Sequence, residues 1–299
     1  MASAGALPLL FVPNFSEGRS ERVIDALGAT LGSHAQLLNL HFDAQHNRSV
    51  FTLAGEPAPV AEAAAAGAAH ACELIDLRAY QGLHPHIGAL DVCPVVWVEP
   101  GQRESARDAA RAAAQGVAAL EIPVFFYGEL ATAEERRERA FFRRGGPAEL
   151  ARRMREGELA PDLGPAQPHP SAGATLVTAR PPLVAFNLEL DTPNPEIARA
   201  VAGRLRESGG GLRGVRALGL PREGGAQVSI NVHSADAVPL ARVVEEVQRL
   251  AGEHGARAVE AELVGLLPAA AIEGYPGDPP IAGFEPDRHV IERVLAADR

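Results

Sequence analysis

Three polar clusters in this chain carry the residue types of acid–base and anion chemistry. The first is Gly82-Leu83-His84-Pro85-His86-Ile87-Gly88-Ala89-Leu90-Asp91, a loop pinned by proline and glycine just ahead of an apolar strand. Histidine can accept and return a proton near neutral pH, and such groups often sit on loops held by a rigid scaffold. The second is Asp43-Ala44-Gln45-His46-Asn47-Arg48, at a turn between two strand-like runs. The third runs from Pro13 to Arg19 through Asn14 and Gly18. On spacing alone each has a plain structural alternative: His84 as a satisfied loop histidine, Asp43 and Asn47 as turn formers, Gly18 as a positive-φ residue. His34, His70, His233, His254 and His289 fall in helices, turns or exposed edges, where function is not expected.

Other chemistries are disfavoured. His84, His86 and Asp91, with His41 or His46, could be counted as metal ligands, but Pro85 aims the His-x-His pair awkwardly. No His-Glu-x-x-His or Cys/His pairing supports them, so no metal is expected. All 28 basic residues are arginine. Without lysine there is no Schiff base, no Walker-type phosphate loop and no Ser–Lys pair. Any bound anion must be held by arginine, histidine, backbone N–H groups or helix N-termini. There is no Gly-x-Ser-x-Gly elbow, and Cys93 inside an apolar strand reads as core. Two cysteines fit a reducing cytoplasm. Met1 to Gly5 lacks a basic leader, and no apolar run reaches the roughly 20 residues of a membrane span. The net charge of −10 and the absence of a basic stripe argue against nucleic acid. The densest basic stretch, Arg136 to Arg155, alternates with Glu134, Glu135, Glu138 and Glu149 and reads as a solvated, ion-paired helix face.

The elements that must position these residues follow from periodicity. The length of 299 residues allows about two domains. Strands are expected over 7–12, 38–42, 48–54, 89–98 and 123–127, with helices from a Ser20 cap through Leu31, over 58–74 and over 105–120. This is a β-α-β-β-α-β order with an added α-β and the charged helix. Residues 157–173, rich in proline and glycine, read as a linker or an ordered loop. The pattern then restarts: strands over 185–190, 215–220, 227–232 and 258–264, helices over 195–207 and 239–254. Two α+β split-βαβ sandwiches in tandem fit, with a crevice between them as a ligand site. The tail beyond Gly274 reads as extended, ending in a short helix near 289–295.

The blocks Val12 to Arg19, Asp43 to Gly55, His84 to Pro94, Pro161 to Pro165, Gly173 to Arg180, Val184 to Asn187, Gln227 to Asn231 and Glu262 to Pro268 occur in order. Together they resemble the formiminotransferase domain family of glutamate formimidoyltransferases. The resemblance implies two ferredoxin-like subdomains, residues 1–180 and 181–299, with a tetrahydrofolate-binding tunnel between them, in a cytoplasmic protein that often forms a homodimer. It implies transfer of a formimidoyl group between 5-formimidoyltetrahydrofolate and L-glutamate, at the folate-linked end of histidine breakdown and of one-carbon metabolism. Formyl transfer from 5-formyltetrahydrofolate and non-catalytic folate binding are the alternatives. The family's catalytic histidine falls on His84 and its folate loop on Asp162 to Gly173, including Gly164. Where the family usually has arginine, this chain has His86.

Such a transfer needs one proton taken from the attacking nitrogen and one given to the departing nitrogen. One histidine can do both, with no metal. His84 is expected as the shuttle and Asp43 as its orienter, or as an acceptor for the pterin edge. Folate and N-formimidoyl-L-glutamate both carry carboxylates, so an acidic protein must gather positive charge at its site. Arg19, Arg48 and Arg180 are the expected anion binders, with Asn14 and Asn187 as hydrogen-bonding partners of pterin or amide groups.

Overall fold

A computed structural model describes residues 7–222, 224–233 and 237–297. Residues 1–5, read above for the lack of a leader, lie outside the described residues. The chain divides into two compact units, Met1–Pro181 and Pro182–Arg299. Among the described residues no helix is long and apolar enough to cross a membrane.

In the first unit β1 (Leu9–Phe11) and β2 (Asn14–Phe15) are one strand interrupted at Val12-Pro13. Ser20 caps α1 (Glu21–Gly32), its hydroxyl accepting the Val23 N–H. β3 (Gln36–Asp43) and β4 (Arg48–Gly55) form a hairpin, followed by α2 (Pro57–Leu74), β5 (Leu90–Val96), α3 (Arg103–Ala118) and β6 (Val124–Phe126). The sheet runs β3, β4, β1/β2, β5, with all these neighbours antiparallel. That is the strand order of a split βαβ sandwich.

α2 and α3 cover one face with alanines: Ala63, Ala64, Ala68 and Ala71 from α2, Ala106, Ala110, Ala113 and Ala114 from α3. Small side chains let the two helices approach closely. A Cβ on Gly116 would stand 2.8 Å from that of Ala65.

Two expectations change here. The charged stretch is not one solvated helix. It forms α4 (Arg139–Arg143) and α5 (Gly146–Arg155), separated at Gly145 and Gly146, both at φ 73°. Arg152 does make surface pairs with Glu149 and Glu158. Arg153, however, is buried, donating to the Phe141 carbonyl and lying 4.5 Å from the Phe141 ring centroid. Phe142, Leu150 and Met154 supply the apolar side that sequence charge obscured, packing on Phe125 and Leu176.

The second change is β7 (Thr175–Arg180), a strand the periodicity did not announce. It inserts between β5 and β6, parallel to both. The 157–173 segment is therefore an ordered loop of the first unit, not a linker. Its Leu163 bridges Val124, and Gly173 bridges both Gly88 and His169.

The second unit consists of β8 (Val184–Leu190), α6 (Pro195–Leu205), β9 (Val215–Arg222), β10 (Gly225–Val232), α7 (Leu240–Gly252) and β11 (Ala258–Val264). Its antiparallel sheet runs β11, β8, β10, β9, again the ferredoxin-like order. Alternate residues Phe186, Leu188, Val228 and Ile230 meet Val201, Val243 and Val247 of the helices. The tail folds back: Ala261 N–H donates to the Pro280 carbonyl and Ala282 N–H to the Ala261 carbonyl. It continues through α8 (Ala269–Ile272) and α9 (Pro286–His289) to α10 (Ile291–Ala297).

Candidate functional site

The three polar clusters meet in the first unit. The His84 loop leads into the first residues of β5, Asp43 and Arg48 flank the β3–β4 turn, and Asn14 opens β2. Asn14 shares a row of the sheet with Val50 of β4 and Val92 of β5. Phe51 and Leu53 face the helices, so Arg48 points to the opposite face of the sheet.

Arg48 is the hub. Its Nε and Nη2 donate to Asn14 Oδ1 at 3.2 and 2.8 Å, and its Nη1 donates to Asp91 Oδ2 at 2.8 Å. The same Nη1 lies 3.2 Å from His84 Nδ1. Asp91 is fully buried and also accepts from Arg143, while its Oδ1 takes the Ile87 N–H at 2.8 Å. Burial alone would raise the Asp91 pKa; the guanidiniums of Arg143 and Arg48 outweigh it and hold the carboxyl at about 2. Burial draws Arg48 down to about 10, with Asp91 opposing.

These contacts determine the state of His84. An arginine only donates, so the hydrogen bond at Nδ1 makes that nitrogen an acceptor and leaves the ring proton on Nε2. Burial, then the charges of Arg48, Arg143 and Arg139, push the His84 pKa well below its ordinary value. The ring is therefore neutral at pH 7. A ¹⁵N NMR titration is expected to find His84 uncharged, protonated on Nε2, at and below pH 6.5. In Arg48→Gln the midpoint should rise; an unshifted midpoint would contradict the assignment.

The loop carrying His84 is clamped from two sides. Tyr80 donates to the His46 carbonyl at 2.8 Å, and burial lifts its phenol to about 12. Ser16 donates to the Gly88 carbonyl at 2.7 Å. A Cβ on Gly88 would run into the Ala174 carbonyl, and one on Gly173 into the Ile87 carbonyl, so both glycines permit a backbone approach no other residue allows. His86 stacks on Tyr80 with centroids 3.8 Å apart, and burial lowers its pKa. It stands as an uncharged ring near neutral pH at the position where the resemblance implies that the family usually has arginine.

The remaining expected residues are placed as follows. Asp43 accepts the His46 N–H at 2.7 Å and so serves the turn; the side chain that meets His84 Nδ1 is Arg48. Arg19, exposed, donates from Nε to the Ala44 carbonyl at 2.8 Å. Asn14 donates to the Val12 carbonyl at 2.7 Å while accepting from Arg48, which makes it a support for that arginine. Asp162 lies apart from His84. It accepts the Phe126 N–H at 2.7 Å, the Thr132 hydroxyl at 3.1 Å and Arg136 at 2.8 Å, anchoring the loop to β6. Gly164, at φ 82°, turns that loop against Ile122. Arg180 ends β7. Asn187, in the second unit, donates to Glu262 at 2.8 Å.

Asp91 and Arg143 were missed as site residues. Asp91 had been weighed only as a metal ligand and Arg143 as a surface charge. A lone carboxylate inside the apolar run 89–98 was the available signal, because a buried charge requires a partner. Among the described residues no group of three or more His, Cys, Asp or Glu side chains is placed to hold a metal ion.

Both units match family models. Residues 9–180 match the formiminotransferase domain, N-terminal subdomain, and residues 185–274 the formiminotransferase domain. A glutamate formimidoyltransferase of Streptococcus pyogenes serotype M1 is 40% identical over 266 residues, covering 87% of this chain and 89% of that protein. One from Thermoplasma acidophilum is 35% identical over 270 residues, 87% of this chain and 88% of that protein. The formimidoyltransferase-cyclodeaminase of Rattus norvegicus is 38% identical over 272 residues, and there the match spans half of the relative's length. With both subdomain models matched in order across most of its length, this chain belongs to the formiminotransferase domain family.

Proposed function

We propose that the protein transfers a formimidoyl group between 5-formimidoyltetrahydrofolate and L-glutamate, with His84 as the proton-handling group. The observation that carries this reading is the neutral His84 ring, held at Nδ1 by Arg48, inside a chain similar along its length to glutamate formimidoyltransferases. Nδ1 is occupied, so Nε2 is the exchanging atom. The attacking nitrogen first adds to the formimidoyl carbon; as the carbon's bond to the departing nitrogen then breaks, the Nε2 proton passes to that nitrogen and the proton of the attacking nitrogen takes its place on Nε2 in the same event. The ring ends as it began, and the reaction balances without metal or covalent intermediate. The surrounding arginines favour this role, because a neutral imidazole beside cations is a stronger hydrogen-bond donor.

Arg143 and Arg48 together exceed the single charge of Asp91, and Arg143 Nε is buried without a protein acceptor. The cluster therefore gathers positive charge in a protein of net charge −10, as substrates rich in carboxylates require. Tetrahydrofolate serves as the one-carbon carrier. A cytoplasmic location, consistent with the free Cys72 and Cys93, and a homodimer belong to the same reading.

The test is an assay of purified protein with L-glutamate and two donors side by side, 5-formimidoyl- and 5-formyltetrahydrofolate. Turnover with the formimidoyl donor at least about tenfold faster is the expected result. Preference for the formyl donor would reassign the cargo, and binding without turnover on either would reduce the protein to a folate binder.

A further inference from the structure

A second set of donors lies on the same sheet face as Arg48, at the carboxyl ends of β6 and β7. Val177 and Ala179 of β7 sit in the helix-side core, so Thr178 and Arg180 face the other way. Tyr127, just past β6, joins Phe125 in the opposite cluster. The Gly128 N–H donates to the Arg137 carbonyl at 3.1 Å, and Phe142 packs 5.2 Å from the Phe125 ring, so α4 begins beside Tyr127. Arg139 lies one turn before Arg143 on α4, hence on the same side of the helix.

Among the described residues these three side chains have no side-chain acceptor. Among the described residues neither Arg139 nor Tyr127 makes a side-chain hydrogen bond, and Arg180 donates only to the adjoining Pro181 carbonyl at 3.0 Å. Burial draws both guanidiniums down, Arg180 to about 10; the charge of Arg143 acts against Arg139, and that of Arg139 against Arg180. Burial also raises the Tyr127 phenol, so it stays a donor. Glu138 and Asp91, the latter already paired with Arg48 and Arg143, are the carboxylates that act on Arg139, and none is among those acting on Arg180. Two half-buried cations and a phenol with no carboxylate hydrogen-bonded to them among the described residues constitute a site lacking its anion.

We propose that Arg139, Arg180 and Tyr127 form a carboxylate site that extends from the edge of the His84 cluster, where Arg139 stands, to Arg180 at the end of β7, and takes the glutamyl tail of the folate. This rests on the folate-dependent reading above. Distance selects the tail over the amino-acid substrate. Val50, Asn14, Val92 and Leu176 share one row; Arg48 lies two residues to one side of it and Arg180 four to the other. With three strand spacings between β4 and β7, the two backbones stand on the order of 20–25 Å apart. The carboxylates of an amino acid reacting at His84 lie only a few bonds from its amine and fall short of Arg180. A folate carries its carboxylates beyond an aminobenzoyl spacer, so its tail reaches while its pterin nitrogen stays at His84.

Calorimetric titration of the protein with 5-formyltetrahydrofolate and with its tailless analogue, 5-formyltetrahydropteroate, tests this without turnover. The tailless ligand is expected to bind the native protein about 10- to 100-fold more weakly. Arg180→Gln and Arg180→Leu should weaken folate by a similar factor and leave tailless binding where it was. Equal affinity of the two ligands for the native protein would overturn the subsite and spare the function, and needs no variant to fold. So would a loss in the variants shared by both ligands, or one falling on KM for N-formimidoylglutamate instead. Failure of the native protein to bind either ligand would overturn the folate reading itself, and the subsite with it.

Discussion

Alanine at position 84 lowers turnover a hundredfold or more, while the dissociation constant for folate moves less than about threefold. The magnitude follows from what the imidazole does. Positioned acid–base catalysis contributes roughly 10²–10⁴ in rate, or about 2.7–5.5 kcal/mol of barrier. The His84 ring makes one side-chain hydrogen bond among the described residues, at Nδ1 with Arg48, and an edge contact with His46, so its removal leaves the Arg48–Asp91–Arg143 cluster paired. The loss should therefore fall on kcat rather than on binding or folding. Steady-state kinetics and equilibrium binding of 5-formyltetrahydrofolate on the same preparation separate the two. Retention of full turnover would remove His84 from the mechanism.

Asparagine at position 91 is the most damaging single change expected for stability. Asp91 is fully buried and is the carboxylate paired with both Arg48 and Arg143. Removing its charge leaves two guanidiniums facing each other out of water, a change that costs about 3–5 kcal/mol, or roughly 10 °C in melting temperature for a chain of this size. The effect has a pH signature. The Asp91 pKa is depressed from about 3.9 in the unfolded chain to about 2 in the fold. Its contribution is fully present above the unfolded value and is lost as pH falls through the folded one. The melting temperatures of native and Asp91→Asn proteins should therefore differ most near neutrality and converge below about pH 4. A constant difference down to pH 2 would mean that Asp91 is not held ionised by these arginines.

Much of the fold was legible from local pattern. The apolar run of β4, the apolar alternation of β8 and β10, the Ser20 cap and the alanine spacing of α2 and α3 are all short-range features. The doubled β-α-β-β-α-β order follows from them. β7 was not legible, because its six residues are short and end at Pro181-Pro182, and only insertion between β5 and β6 identifies them as a central strand. Arg136 to Arg155 looked like solvent-facing charge because its apolar residues are few and unevenly spaced. Folding turns those few, Phe142, Leu150 and Met154, onto Phe125 and carries Arg143 inward with them.

The site divides along the same line. Residue chemistry and loop grammar pointed to His84, to Asp43 and Arg48 around one turn, and to the absence of any lysine to share the work. Tertiary structure decided which group touches which. It set Arg48 rather than a carboxylate against Nδ1, placed the Asp91 counter-charge beneath both arginines, and left Arg139, Arg180 and Tyr127 without side-chain acceptors among the described residues. The physical reason is range. Helix, strand and cap preferences act over a few residues and can be read along the chain, whereas the protonation state of a buried imidazole depends on charges 36 to 59 positions away in sequence that only the folded sheet brings near.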